Sequence, residues 1–205
     1  MGMLGPDDPL SCPLNKIVVA GGSGAGKTTL CREISARLGV PHVEIDSLYH
    51  GPEWTPRPEF AADVDRITAG PEWAIEYTYR SVKPLLVDRM DLMVWLDHPR
   101  RTVIRRVVSR TVSRRLRRTE LWNGNREAAL WTILTDHDHI VRWSWRVYGR
   151  YRAEIPALAT ADGGQLTIVR LVGQRQVDAW LAGPFATAAT TRSSQEVSSS
   201  PPPEE

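Results

Sequence analysis

Two cysteines and two phenylalanines are all that the 205 residues hold of either type, and no apolar run approaches membrane-spanning length. Cys12 sits in a stretch rich in proline and acid, and Cys31 inside an expected helix, so neither a disulfide framework nor metal-ligand spacing is available. That usage suits a reducing compartment, and the expectation is a soluble cytoplasmic protein without a membrane partner. The opening residues MGMLGPDDPLSCPL lack the basic start and apolar stretch of a secretory signal. Pro6 stands where a myristoylation motif has Ser or Thr. Strong charge of one sign is missing too: a net charge of +2 does not by itself indicate a nucleic-acid partner. With 41% hydrophobic residues the chain can bury one sizeable core. The expected organisation is a flexible leader over 1–14, one domain over 15–182 and a disordered tail over 183–205, where Ala, Thr, Ser and Pro dominate.

Within the domain, apolar runs alternate with helical patterns. Lys16 to Ala20 (KIVVA) reads as a buried strand ending in glycines, and Thr28 to Leu38 as a helix with Leu30, Ile34 and Leu38 on one face and Gly39 as its stop. Further strands are expected at His42 to Ile45, Trp73 to Tyr77, Leu92 to Leu96 and Gln165 to Arg170, with helices at Glu59 to Ala69, Arg100 to Arg118 and Gln174 to Leu181. This alternation implies an α/β sandwich of three layers on a five-stranded parallel sheet, its sites at the carboxyl ends of the strands. Half of the eight tryptophans fall between Leu121 and Ile155, a helical stretch that reads either as core packing or as a stacking wall for a substrate.

Gly21-Gly22-Ser23-Gly24-Ala25-Gly26-Lys27-Thr28 matches G-x-x-x-x-G-K-[ST] between an apolar strand and a helix, the context that gives this motif its meaning. Glycines let the backbone of Gly22, Ser23, Gly24, Ala25 and Gly26 curl so that N–H groups converge on phosphate oxygens, and the helix start adds positive dipole. Lys27 is expected at the β- and γ-phosphates. The Thr28 hydroxyl is expected on Mg2+, with Thr29 following in the first helical turn. The motif implies nucleotide binding, with ATP and Mg2+ as the expected cofactors.

From about Lys16 to Leu181, through GGSGAGKTTL, PHVEIDSLYH, WAIEYTYR, WLDHPR, the arginine helix and ELWNGNRE, the chain resembles the small P-loop kinases of the adenylate-kinase type. Within them it is similar to proteins named for DNA topology modulation, although no DNA-binding module is recognisable. The resemblance implies the P-loop NTPase sandwich with a helical, arginine-rich lid, and phosphoryl transfer from ATP to an unidentified small-molecule acceptor such as a nucleotide or nucleoside. It implies that Glu76, ending the third strand, helps hold Mg2+, that Arg80 grips the acceptor, and that Asp46 lies beside the acceptor hydroxyl. Such kinases more often have Asp where Glu76 stands, and Tyr77-Thr78-Tyr79 replaces a glycine-containing turn. Glu76 also reads as a surface acid paired with an arginine, and Asp46 as a helix N-cap. Tyr49 and His50 on the same loop are candidates to line the acceptor pocket. After the fifth strand, Gly173 lies where these kinases pass the adenine ring.

Nine arginines and no acid lie between Arg100 and Arg118, interleaved with a valine-rich stripe. Arg106, Arg110 and Arg114 share a helical face and, followed by Arg118, are the candidates to close over the transferring phosphate. Two other readings stay open: a nucleic-acid stripe, which the P-loop disfavours, and a solvated face. The Asn-Gly turn in Glu120 to Glu127 is expected at a lid or its hinge. Asp97 is expected to brace the start of the arginine helix. A different class of function, a slow nucleotide switch with a regulatory or DNA-related role, remains beside the kinase reading.

Overall fold

The structure is a computed structural model that describes residues 3–116, 149–163 and 165–199, with side chains outside the description at 110–112, 114–116 and 195–199. Five strands, β1 (Lys16–Gly21), β2 (His42–Val43), β3 (Trp73–Glu76), β4 (Leu92–Leu96) and β5 (Thr167–Leu171), form one parallel sheet in the order β2-β3-β1-β4-β5. The first strand is central. Val19 pairs with Glu76 of β3 on one side and with Val94 of β4 on the other. That register puts the ends of β1, β3 and β4 together, where the glycine loop begins.

The helices are α1 (Lys27–Leu38), α2 (Ile45–Tyr49), α3 (Phe60–Thr68), α4 (Lys83–Arg89), α5 (Arg100–Leu116), α6 (Arg150–Ala161), α7 (Gln174–Ala182) and α8 (Pro184–Ser199). Successive strand residues point to opposite faces, so a sheet covered on both sides reads as continuous apolar runs. Ile17 and Val19 pack with Leu30 and Ile34 of α1 and Trp180 of α7. Val18 and Ala20 pack on the other face with Phe60 and Val64 of α3, Leu86 of α4 and Ile155 of α6. The helix α1 stops where expected: Gly39 adopts φ 72° and its N–H closes on the Ser35 carbonyl at 2.9 Å, a left-handed cap that glycine supplies without steric cost.

Three expectations are corrected. The second strand ends at Val43, because Ile45 already opens α2 with Glu44 at its N-cap and the Ser47 hydroxyl on the Glu44 carbonyl at 2.7 Å. The leader is not loose over its described residues. The Leu4 N–H donates to the Ile168 carbonyl and the Arg170 N–H to the Leu4 carbonyl, both at 2.8 Å, which covers the open edge of β5. The tail is helical to Ser199. Phe185 is fully buried against Trp180 at a centroid separation of 4.9 Å, and Arg192 reaches back to the Leu14 carbonyl at 3.1 Å and to Glu72. Its hydroxyls bond back into the helix, as Thr190 does to the Ala186 carbonyl at 3.0 Å, so a composition that suggests disorder is accommodated by one aromatic anchor. Of the aromatic stretch only Tyr151 is described, and it is buried in the core. The turn at Glu120 to Glu127 and Arg118 lie outside the described residues.

Candidate nucleotide and acceptor site

The glycine loop leaves β1 and enters α1 through alternating backbone conformations. Gly24 adopts φ 80° and Gly26 φ 101°, values that a side chain opposes, and the Ala25 N–H closes on the Gly22 carbonyl at 3.1 Å. Alternation of this kind turns successive N–H groups toward one point and makes an anion-binding nest. Gly24 also needs to be small for a second reason. A Cβ there would come within 2.5 Å of Val107 Cγ2 and 3.0 Å of the Val103 carbonyl, so α5 lies directly on the loop.

Lys27 and Thr28 open α1, and both turn toward Glu76. The Lys27 ammonium lies 3.8 Å from Glu76 Oε2 and 3.4 Å from the Gly22 carbonyl, and the Thr28 hydroxyl donates to Glu76 Oε1 at 2.5 Å. Glu76 is 5% exposed, so it is no surface acid, and its extra methylene over Asp lets it touch Thr28 directly. Behind them the Cys31 thiol is held well above its usual range, by burial first and then by the Glu76 charge. Thr29 stands exposed on the first turn of α1.

Asp46 is the second residue of α2, past the cap position, and its Oδ1 accepts the Tyr79 hydroxyl at 2.7 Å. The same hydroxyl lies 3.1 Å from His50 Nε2, and the Tyr79 ring stacks on Tyr49 at 3.9 Å between centroids. Tyr79 adopts φ 56°, so it takes the left-handed turn that a glycine was expected to supply, at a cost of about 1–2 kcal/mol for an L-residue. Burial first, then the Asp46 charge and hydrogen bond, raise its phenol far above the ordinary tyrosine value, so the phenol stays a donor. The sequence reading did not single out Tyr79. The signal for it was the missing glycine in Tyr77-Thr78-Tyr79. Arg80 is exposed and turns instead to a cleft between α4 and α6, which it lines with Lys83, Arg150 and Glu154. There Lys83 pairs with Glu154 at 2.7 Å and lies over the Tyr77 and Tyr151 rings.

From α5, Arg106 donates to the Ala25 carbonyl at 3.2 Å and to Gln174 Oε1 at 2.9 Å, so it lies against the glycine loop and the start of α7. Arg110 and Arg114 follow on the same helix, their side chains outside the description. Gly173, with φ 80°, donates its N–H to His98 Nδ1 at 3.1 Å. Asp97 does not brace the start of α5. It is 3% exposed and accepts from Arg152 Nε at 2.6 Å and Arg170 Nη2 at 2.5 Å, fastening α6 and β5 to the end of β4. Both of its carboxylate oxygens accept there.

Among the described residues no three His, Cys, Asp or Glu side chains gather as a metal site. The Thr28 hydroxyl and Glu76 carboxylate are hard oxygen donors side by side, a set that fits Mg2+, which keeps several waters and takes one or two carboxylates beside nucleotide phosphates. No helix among the described residues is long and apolar enough to cross a membrane.

No protein-family model matches the sequence, and no curated protein matches it significantly. Solved structures do. A gluconokinase from Sinorhizobium meliloti aligns at 19% identity over 87% of this chain and 96% of its own, with a TM-score of 0.50. A shikimate kinase from Acinetobacter baumannii aligns at 15% identity over 90% of this chain and 94% of its own, with a TM-score of 0.46, and a deoxyadenosine kinase from M. mycoides at 14% over 81% and 96%, with a TM-score of 0.43. With its five-stranded parallel sheet between helical layers and its glycine loop between β1 and α1, the chain has the α/β fold of the P-loop kinases.

Proposed function

We propose that this protein is an ATP-dependent phosphotransferase that moves the γ-phosphoryl group of ATP to a hydroxyl of a small acceptor. The observation that carries this reading is the convergence of Lys27, Thr28 and buried Glu76 at the mouth of the glycine loop, with the Asp46–Tyr79 pair beside it: Tyr79 follows Glu76 by three residues and Asp46 follows β2, the strand next to β3. A nest, an ammonium and a metal-holding oxygen pair serve a triphosphate. A carboxylate held on neighbouring α2 serves what attacks it.

In this reading the N–H groups of Gly22 to Gly26 hold the β-phosphate and Lys27 spans to the γ-phosphate. Mg2+, held through Thr28 and Glu76, would supply neutralisation of charge on the outer phosphates. Asp46 orients the acceptor hydroxyl and accepts its proton as the new P–O bond forms and the bond to the β–γ bridging oxygen breaks, leaving ADP. Tyr79 holds Asp46 in place by its hydroxyl. Arg106 meets phosphate from α5, with Arg110 and Arg114 as the further lid residues, Gly173 borders the nucleobase, and Arg80 binds the acceptor by swinging out of the α4–α6 cleft that it lines here. The kinase neighbours support ATP and a small-molecule acceptor as the partners.

The second reading is a slow nucleotide switch with a DNA-related role, suggested by the resemblance to the proteins named for DNA topology modulation. The observation in its favour is the exposure of Arg101 and Arg105 on α5. It is weakened by Arg106, which turns inward to the glycine loop. The test is ADP release from MgATP against nucleosides, nucleoside monophosphates and hydroxylated metabolites, with Lys27→Ala as the blank. A large rise with one acceptor, absent in the variant, supports the kinase. A flat, slow background with salt-sensitive DNA binding supports the switch.

A further inference from the structure

His98 follows β4 in Trp95-Leu96-Asp97-His98-Pro99 and is 1% exposed. Its Nδ1 accepts the Gly173 N–H at 3.1 Å, which leaves the proton of the neutral ring on Nε2. The Ala25 backbone acts on the ring as well and favours its charged form, as a carbonyl facing a ring N–H does and a backbone N–H does not. The same carbonyl takes the Arg106 guanidinium at 3.2 Å. In a planar trans peptide the carbonyl of residue 25 and the N–H of residue 26 point in opposite directions. Donors on the Ala25 carbonyl therefore fix the Gly26 N–H on the opposite side of the peptide, one of the N–H groups that a nest can use.

We propose that His98 is a positioning residue for nucleotide binding, whose neutral ring sets the Ala25–Gly26 peptide in its phosphate-facing orientation and ties the glycine loop to the loop that opens α7. The proposal rests on the nucleotide-binding part of the reading above. One side chain thus couples the phosphate end of the site, at Ala25, to the end assigned to the nucleobase, at Gly173.

Protonation is incompatible with the bridge, because an imidazolium presents N–H at both nitrogens and Nδ1–H would then oppose the Gly173 N–H. Burial first, then the Arg106 charge, hold the His98 pKa below the ordinary 6.5, against the Ala25 carbonyl and Asp97, which raise it. Arg106 faces the ring from α5 and Asp97 from the end of β4, the latter engaged by Arg152 and Arg170; the glycine loop and the α7 loop present only backbone at their bonds to the ring. The sign follows from the lowered value. The bridge is complete above pH 6.5 and is lost as pH falls through the folded-state pKa beneath it.

The test is calorimetric titration of the full chain with MgADP from pH 5 to 8, for the wild type, His98→Ala, His98→Gln and Lys27→Ala, with thermal melting to establish that each is folded. Loss of two hydrogen bonds is expected to weaken binding about tenfold or more in His98→Ala at pH 8. His98→Gln keeps a donor for the Ala25 carbonyl and cannot titrate. It is expected to recover part of the affinity and to lack the protein's share of the acid loss, retaining only the share due to protonation of the ligand. If His98→Ala does not fold, the acid limbs of the wild type and His98→Gln decide. Nucleotide binding that is Lys27-dependent, yet equal in the wild type and His98→Ala, or an acid limb unchanged in His98→Gln, overturns the proposal alone. A wild type that binds no nucleotide, or binds it as well as Lys27→Ala does, overturns the underlying reading and the proposal with it.

Discussion

Replacing Gly24 by Ala adds one methyl group at the contact between the glycine loop and α5, and the structure fixes what that methyl meets. Its position is 2.5 Å from Val107 Cγ2 and 3.0 Å from the Val103 carbonyl, and Val107 is fully buried and cannot swing into solvent. Overpacking of this kind costs about 1–3 kcal/mol. The φ of 80° adds about 1–2 kcal/mol, because an L-residue in the left-handed region crowds its own carbonyl. Together they amount to about 2–5 kcal/mol, or about 4–20 °C of melting temperature for a chain of this size. Gly22→Ala is the internal control, since a Cβ at Gly22 meets nothing within 4 Å. Thermal unfolding followed by circular dichroism is the assay, with Gly24→Ala, Gly22→Ala, Val107→Ala and the double variant Gly24→Ala/Val107→Ala. The double variant is expected to lose less than the two single losses added, because removing Val107 Cγ2 relieves the clash. Gly24→Ala melting within about 2 °C of the wild type, below the smallest shift expected, or Gly22→Ala losing as much, would refute the packing of α5 on the loop.

Three further outcomes follow from named contacts. Phe185→Ala removes a fully buried ring from the Trp180 contact and is expected to cost about 3–5 kcal/mol by denaturant unfolding, whereas a disordered tail would lose nothing. Asp97→Ala is expected to cost about 1–3 kcal/mol, less than a fully buried pair, because its two arginines are 46% exposed and regain water. Tyr79→Phe keeps the stack on Tyr49 but frees the Asp46 carboxylate; steady-state kinetics are expected to give about a tenfold fall in kcat/KM for the acceptor, with the KM for ATP unchanged.

Much of this architecture was legible in the chain because three of the five strands are short, buried apolar runs with a turn signal behind them, whereas β2 is only His42–Val43. KIVVA, WAIE and LMVWL are buried on both faces, so burial and β-branching point the same way. The glycine loop was legible for a sharper reason: its conformations at Gly24 and Gly26 demand glycine, so the motif is a record of backbone geometry. What escaped is long-range. Nothing local in Asp97 tells that its partners are Arg152 and Arg170, 55 and 73 residues away, and helix-start logic pointed to the wrong neighbour. His98 and Tyr79 escaped for the same reason, since each acts through a contact with a distant loop. The tail misled because composition averages over residues, whereas Phe185 docked on Trp180 and Arg192 bonded to the Leu14 carbonyl and Glu72 hold the described helix to the body.

The most direct test of the central claim is the fate of the γ-phosphoryl group: ATP carrying a γ-phosphate label is incubated with the protein, Mg2+ and each acceptor, and the products are separated. The account predicts that the label appears covalently on one class of hydroxyl-bearing acceptor in amounts equal to the ADP formed, and that Lys27→Ala abolishes the transfer. Label recovered only as inorganic phosphate, at a rate no acceptor changes, would contradict it.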